Sequence, residues 1–449
     1  MSEDIKFDSG LVLVGSCLER LQELDDASID SIVTDPPYEL GFMGKDWDNS
    51  GIAYSVELWV ECLRVLKPGG HLLAFGATRT YHRMAVAIED AGFEIRDSIH
   101  WVYGSGFPKS HNVSKAIDKE AGAEREVIGS KRVSPKGISA AEERSAVAAG
   151  SYGGEAKDVD ITAPATDDAK TWEGWGTALK PAHEPIMLAR KPLTGTVASN
   201  VLAHGTGALN IDGCRIGTDP ITINGQGNDN LFHGNFSGNI DNPTRVGRFP
   251  ANIIFDEAAG AELDAQSGIR TPGHWTQTKT TGFGEFGGGT SEYHGTGPKS
   301  EAGGASRFFY CPKPGKKERN AGLDGLAGKQ VGAKGNGLAR KCATCSANVL
   351  DGCSCPDRTF ENPVKQNFHP TVKPVSLMRY LVRLVTPPNG TVLDPFLGSG
   401  TTAVAAIAEG FKWVGCEMTA DYLPIISGRV THAQTEKAKQ QETLPKDNN

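Results

Sequence analysis

Short apolar runs alternate with amphipathic ones at both ends of this chain, and that alternation limits its fold more than any other feature. "GLVLVG" (10–15) reads as a strand, "CLERLQEL" (17–24) as a helix and "IDSIVT" (29–34) as a second, buried strand. "SVELWVECLRVL" (55–66) has helical spacing, "PGG" (68–70) reads as a turn and "HLLAFG" (71–76) as a third strand. A helix over 83–92, stopped by glycine, and a strand within "FEIRDSIHWVY" (93–103) follow. The pattern returns as a helix in "TVKPVSLMRYLVRLVTPP" (371–388), a strand "GTVLDPF" (390–396), a helix "GTTAVAAIAEG" (400–410) and a strand "KWVGCEM" (412–418). Such alternation predicts an α/β fold, a mostly parallel sheet with helices on both faces.

Between these ends the pattern fades. Residues 111–170 are charged and rich in Ala, Ser and Gly, and read as a flexible insertion. Residues 196–305 contain 21 glycines. Only short strand candidates punctuate that stretch, "ALNIDGCRI" (208–216) and "ANIIFD" (251–256), so it supplies no large core of its own. The expected organisation is therefore 1–110, a return at 171–195 and 361–432 for one domain built from both ends. An irregular region spans 196–360, and a polar tail 433–449.

Composition narrows the class. A hydrophobic share of 38% and a net charge of -8 fit a globular chain. No run approaches the roughly 18 apolar residues of a membrane span, and "MSEDIKFDSG" is too acidic and polar for a secretory signal. The expectation is a cytoplasmic protein with no membrane partner. Nine cysteines, an odd number, argue against a disulfide framework.

The segment "VLDPFLGSGTTAVAA" (392–406) combines a strand, a tight glycine turn and a helix start. Glycine lets the backbone approach a ligand closely, and free N–H groups at a helix start favour anionic groups. Glu417 ends the next strand, where a carboxylate can take both hydroxyls of a ribose. After Gly398, Ser399, Gly400, Thr401 and Thr402 comes Ala403, so the third glycine of a dinucleotide fingerprint is missing. A smaller nucleoside is the better expectation.

"TDPPY" (34–38), followed far downstream by "HPTVKP" (369–374) and "LDPFLGSGTT" (393–402), resembles the exocyclic-amino DNA methyltransferases. The catalytic motif precedes the cofactor motif, as in the permuted beta class of that family. "SGFPKSHNVSKAID" and "RFPANIIFD" are similar to segments of site-specific methyltransferases common in phages and prophages. The resemblance implies a Rossmann-like fold dependent on S-adenosylmethionine, with an inserted target-recognition region, acting on double-stranded DNA as a nucleoid-associated protein. It implies catalytic roles for Asp35, Pro36, Pro37 and Tyr38, and cofactor-binding roles for Lys373, Asp394, Phe396, Gly398, Ser399, Gly400, Thr401 and Glu417. It leaves open a homodimer and a cognate restriction endonuclease. Ser16, in "GSCLERL", stands where the family usually has an acid that contacts the cofactor's adenosine. His183, in "AHEPIML", matches a further family segment but reads equally well as a core histidine.

The chemistry of "DPPY" suits that reading. An exocyclic amino group is a poor nucleophile because its lone pair is delocalised into the ring. Asp35, as an acceptor, can draw the group toward sp³ geometry, and the Pro36 carbonyl can take its second hydrogen. The prolines stiffen the backbone that aims both acceptors, and Tyr38 offers a stacking face for a flipped base. An aspartate at the motif start is commoner in adenine-N6 enzymes and a serine in cytosine-N4 ones. Adenine N6 is therefore the expected target and cytosine N4 the alternative. An RNA or protein-glutamine methyltransferase, or a DNA-binding protein with a decayed site, are further readings. A carbon-5 cytosine enzyme needs a nucleophilic Cys, typically after proline, and no Pro-Cys dipeptide occurs.

Two features of the middle region bear on partners. Cys342, Cys345, Cys353 and Cys355 lie within "KCATCSANVLDGCSC", whose first pair has the spacing of a structural zinc knuckle. Cys311 and His369 are spare ligands. Segment 307–341 carries nine Lys/Arg against two acids, the balance a phosphate-contacting loop needs.

Overall fold

Strands from both ends of the chain interleave in a single nine-stranded sheet. The computed structural model describes residues 3–40, 49–104, 106, 110–133, 157–222, 244–269, 303–312, 318–330, 341–342, 360–361 and 364–443. The sheet strands are β1 (Ile5–Phe7), β2 (Gly10–Val14), β3 (Ile29–Thr34), β4 (Leu66–Phe75), β5 (Glu94–Val102), β6 (His183–Arg190), β7 (Ile253–Phe255), β8 (Thr391–Asp394) and β9 (Lys412–Glu417). Their spatial order is β1-β2-β9-β8-β3-β4-β6-β5-β7. From β2 to β4 every pairing is parallel; β6 enters antiparallel between β4 and β5, and β7 pairs in parallel with β5. This is the expected α/β Rossmann-like arrangement.

The register of β8 decides where the chemistry gathers. β8 sits between β3 and β9, with Val392 opposite Ser31 and Leu393 opposite both Ile32 and Val414. All six residues of β3 are buried, as expected of a central parallel strand covered on both faces. Its first two polar side chains, Asp30 and Ser31, are satisfied there. Asp30 takes Lys67 Nζ at 2.6 Å and the Thr391 amide at 2.8 Å, and Ser31 Oγ lies 2.8 Å from Thr386 Oγ1.

Helices cover both faces. One core layer holds α1 (Val56–Val65) and α2 (Tyr81–Asp90) against the sheet through Leu58, Trp59, Cys62, Met84 and Ile88. The other holds α3 (Val375–Val385), α4 (Thr401–Glu409) and α5 (Leu423–Thr443) through Leu377, Leu381, Val385, Ala406, Ile426 and Val430. Among the described residues no helix is long and apolar enough to cross a membrane.

Several local expectations change. "PGG" makes no chain reversal: β4 runs through it as a bulge, the pairing with β3 shifting between Ile29–Leu66 and Ser31–His71. Gly69 takes φ +77° there, and the Pro68 carbonyl accepts from Asn200 Nδ2 and Thr206 Oγ1. Within 208–216 the chain turns instead of extending. Asn210 Oδ1 accepts the Gly213 amide at 3.0 Å and a 3₁₀ turn forms over Asp212–Cys214. Helix α3 starts at Val375, because Pro374 stands at its N-cap with extended backbone. The expected polar tail is helical through Thr443, its Ala, Gln, Lys and Glu being good helix formers.

The presumed flexible insertion at 111–170 carries more order than its composition suggested. It contains a helix over Val113–Glu120, a hairpin of Val127–Val133 with Lys157–Thr162, and a short helix over Asp167–Thr171. Buried Asp118 ties these together, accepting from Arg125 Nη1, the Ala165 and Thr166 amides and Thr166 Oγ1. A polar network holds this unit, so it leaves no apolar periodicity to read. The region expected to start at 196 likewise contributes to the main sheet, since β7 is its edge strand.

Candidate active site

At the carboxyl ends of parallel strands, backbone and side chains face an open crevice, the usual ligand position in such sheets. Here β3 delivers Asp35, β8 ends at Asp394 and β9 ends at Glu417, while antiparallel β6 brings Glu184 to the same edge from its own start. The two distant motifs are joined directly. Thr34 Oγ1 donates to Asp394 Oδ1 at 2.7 Å.

Asp35 Oδ2 lies 2.6 Å from Lys373 Nζ, whereas Asp35 Oδ1 is buried with no hydrogen-bond partner. Lys373 also reaches Glu184 Oε2 at 3.5 Å and lies over the rings of Tyr38 (5.2 Å) and Phe75 (4.9 Å). The Tyr38 hydroxyl donates to Glu184 Oε2 at 2.8 Å, and the Tyr38 carbonyl accepts from Thr80 Oγ1 at 2.8 Å. Burial raises the Asp35 pKa; Lys373 opposes that shift and Glu184 adds to it. Tyr38 is pushed well above the ordinary phenol value, by burial first and then by Asp35 and Glu184. Lys373 is held charged, the two carboxylates overcoming the cost of its burial. Pro36 is buried and Pro37 half-buried.

The glycine loop is held from both sides. Gly398 and Gly400 take φ +56° and +78°, in the left-handed region. Glu417 Oε2 accepts the Gly398 amide at 2.8 Å and Oε1 the Thr419 amide at 2.7 Å, while the Gly15 amide donates to the Glu417 carbonyl at 3.0 Å. Burial lifts the Glu417 carboxyl to about 7. Asp394 sits beneath the loop, taking Thr34 Oγ1, Thr402 Oγ1 and the Phe396 amide, and burial lifts it to about 6. Half-buried Phe396 packs on the α1–α2 side of the core. Ser16 caps the short helix at Cys17–Arg20 without a side-chain bond.

The structure thus gathers Asp35, Pro36, Pro37, Tyr38, Lys373, Asp394, Phe396 and the 398–401 loop with Glu417 along one edge. Lys373, expected near the cofactor, is bonded to Asp35. The side chains of Ser399 and Thr401 are occupied by buried Arg429, whose Nη1 donates to Ser399 O (2.6 Å), Ser399 Oγ (2.9 Å) and Thr401 Oγ1 (3.0 Å). Of the expected zinc ligands, Cys345, Cys353 and Cys355 lie outside the described residues, and only the backbone of Cys342 is described, in a short strand with Lys341. Among the described residues no group of three or more His, Cys, Asp or Glu could hold a metal. His369 stands at the glycine loop, its ring 4.7 Å from that of Tyr422. His183 packs its ring 5.2 Å from that of His100.

Sequence reading missed Glu184, Arg429 and the two threonines on Asp394. Glu184 had a signal in hand. "HEPIML" sets an acid and a proline at the start of a buried strand, where "TDPPY" and "LDPF" set them at a strand's finish. Arg429 had none, since it lies within an otherwise ordinary helix.

Comparison with known proteins agrees with this geometry. A family model described as DNA methylase, of the N6/N4 type, matches residues 29–196 and 327–427, well over half of the chain. The type II methyltransferase M.ScaI of Streptomyces caespitosus is 36% identical over 93 residues, 20% of this chain and 31% of that protein. The DNA adenine methyltransferase YhdJ of Escherichia coli K12 is 44% identical over 55 residues, 12% of this chain and 19% of its own. The match thus spans at most about a third of these curated relatives. The solved PvuII DNA methyltransferase, cytosine-N4-specific, aligns over 97% of this chain and 94% of its own, with 12% identity and a TM-score of 0.38. With both halves of this edge lying inside the matched segments, the chain belongs to the N6/N4 DNA methylase family.

Proposed function

We propose that the chain is a site-specific DNA methyltransferase that moves a methyl group from S-adenosylmethionine to the N6 amino group of an adenine flipped out of duplex DNA. The observation that carries this reading is Asp35 Oδ1, a buried carboxylate oxygen without a hydrogen-bond partner beside one that Lys373 already occupies. A buried acceptor left open is costly unless a donor arrives, and an exocyclic N–H is such a donor. Asp35 takes one amino hydrogen and the Pro36 carbonyl the other, which localises the nitrogen lone pair. The Tyr38 ring stacks on the base.

The residues present fit S-adenosylmethionine. Glu417 accepts one bond on each oxygen and keeps lone pairs for two ribose hydroxyls. Gly398 and Gly400 present bare backbone, and the Asp35 and Glu417 carboxylates suit a cationic sulfonium. When bound, the cofactor supplies an electrophilic methyl group. Asp394, Thr34 and Thr402 brace the loop that receives it, and Phe396 lies beside it. Adenine is favoured by the aspartate at the motif start and by the matched segment of the E. coli adenine methyltransferase. Residues 196–360 would contact the duplex, the basic segment 307–341 against phosphate and a zinc knuckle at Cys342, Cys345, Cys353 and Cys355 anchoring it.

Incubation with labelled cofactor and duplex DNA, followed by nucleoside mass spectrometry, tests the reading. Label is expected in N6-methyladenine, and Asp35→Ala is expected to abolish it while leaving cofactor binding intact. Label in N4-methylcytosine would replace the base assignment; no methylated base at all would end the proposal. Metal analysis of the purified protein tests the knuckle, with one zinc per chain expected.

A further inference from the structure

Glu184 lies in the family-like segment "AHEPIML", which assigns it no role, and it touches two of the groups around Asp35. It accepts the Tyr38 hydroxyl hydrogen at 2.8 Å and stands 3.5 Å from Lys373 Nζ. A phenol has one O–H hydrogen. The Tyr38 hydroxyl also lies beside Asp35, close enough for each to affect the other's ionisation. With its hydrogen committed to Glu184, that hydroxyl leaves Asp35 Oδ1 without a donor, as observed. Without Glu184 the same hydroxyl has one nearby carboxylate left to turn to, that of Asp35, whose Oδ2 already takes Lys373.

We propose, resting on the methyltransferase reading above, that Glu184 is a positioning residue for methyl transfer. It holds the Tyr38 hydroxyl and Lys373 so that Asp35 Oδ1 stays open to the amino group of the target base. Tyr38 is then fixed at three points, the hydroxyl by Glu184, the ring face by Lys373 and the carbonyl by Thr80. Lys373 stays shared between two carboxylates and cannot move wholly to either. The charged and titratable groups around Asp35 are Lys373, Glu184 and Tyr38, with Asp394 behind them beneath the glycine loop and Tyr103 facing Glu184 and Lys373.

The test uses the full chain with duplex DNA and S-adenosylmethionine, comparing Glu184→Gln, Glu184→Ala and the double variant Glu184→Ala/Tyr38→Phe. Thermal melting and cofactor binding report folding in each. Gln retains an acceptor for the Tyr38 hydroxyl but removes the negative charge that raises the Asp35 pKa. Its kcat should fall less than that of the Ala variant, with the acid limb of the pH profile moved to lower pH. Ala should lower kcat at least about tenfold with little change in the KM for cofactor. Removing the Tyr38 hydroxyl as well should recover part of that loss, because nothing then caps Asp35 Oδ1. Full activity in Glu184→Ala, no recovery in the double variant, or an unmoved acid limb in Glu184→Gln would each overturn the proposal. Where Glu184→Ala does not fold, the Gln profile alone decides. Absence of methylation by the wild-type chain would instead defeat the underlying reading, so the two failures are distinct.

Discussion

Lys373 Nζ lies 2.6 Å from Asp35 Oδ2, which joins two motifs 338 residues apart in the chain. The contact leaves one carboxylate oxygen committed and one open, and an asymmetric acceptor of that kind is what aiming an amino group requires. Lys373→Met removes the cation that opposes the rise in the Asp35 pKa. The acid limb of activity should therefore move to higher pH, with kcat at neutral pH down about 100-fold or more. Asp35 and Glu184, both with folded-state repulsion and no cation between them, should also make the variant less stable at pH 8 than at pH 5. Steady-state rates and melting curves across that range check both outcomes.

On the proposed reading, Glu417 links cofactor affinity to stability. Its carboxyl is lifted from the ordinary value of 4.5 to about 7. A raised folded-state pKa contributes stability that is complete below the unfolded value and lost as pH rises through about 7. Glu417→Gln should accordingly flatten the pH dependence of the ligand-free protein's melting between pH 4 and 8. At pH 8 removing the charge favours the variant by on the order of 3 kcal/mol, less what is lost at the amide that the Gln nitrogen cannot accept. The same change should weaken S-adenosylmethionine binding about tenfold or more, measured by calorimetry. A stabilising substitution that costs binding marks a functional group.

Gly398 has no room for a side chain. A Cβ there would approach His369 Nε2 to 2.8 Å, and φ is +56°. Gly398→Ala should lower stability by about 1–2 kcal/mol and weaken cofactor binding. Adding His369→Ala should recover only the steric part, since the backbone strain remains. Thermal denaturation of the single and double variants separates the two contributions.

Asp118 offers the opposite pH sign. Its carboxyl is held down to about 2, the Ala165 and Thr166 bonds and Arg125 outweighing its burial. That contribution is present above the unfolded value near 3.8 and is lost as pH falls through about 2. Asp118→Asn should loosen the unit formed by 113–120, 127–133 and 157–171, and faster amide exchange there is the expected signature. The nine-stranded sheet should keep its protection.

How far the site could be read in advance depended on where each residue's partners lie. "IDSIVT" becomes a strand with the expected bounds and "KWVGCEM" one that ends a residue early, at Glu417, because buried parallel strands are marked by apolar runs, a local property. "GSGTT" becomes a turn into a helix because glycine alone takes its φ values readily. Asp35, Tyr38 and Glu417 were legible for the same reason, as acid, aromatic and proline stand where apolar strands stop. Glu184 escaped because its role is set by Tyr38 and Lys373, which reach it only across β4 and β6. Arg429 escaped because nothing around it in α5 marks a buried cation.

The sequence by itself determined the class of fold, the elements at both ends and the residue types at the mouths of three strands, since propensity and periodicity act over a few neighbours. Only the tertiary structure decided that β8 lies between β3 and β9, that Thr34 bonds Asp394, and that Lys373 occupies one oxygen of Asp35 while Glu184 holds the Tyr38 hydroxyl. Those relations depend on register and on long-range burial. Moving any strand by one residue would turn its side chains to the opposite face and take the carboxylates away from the edge.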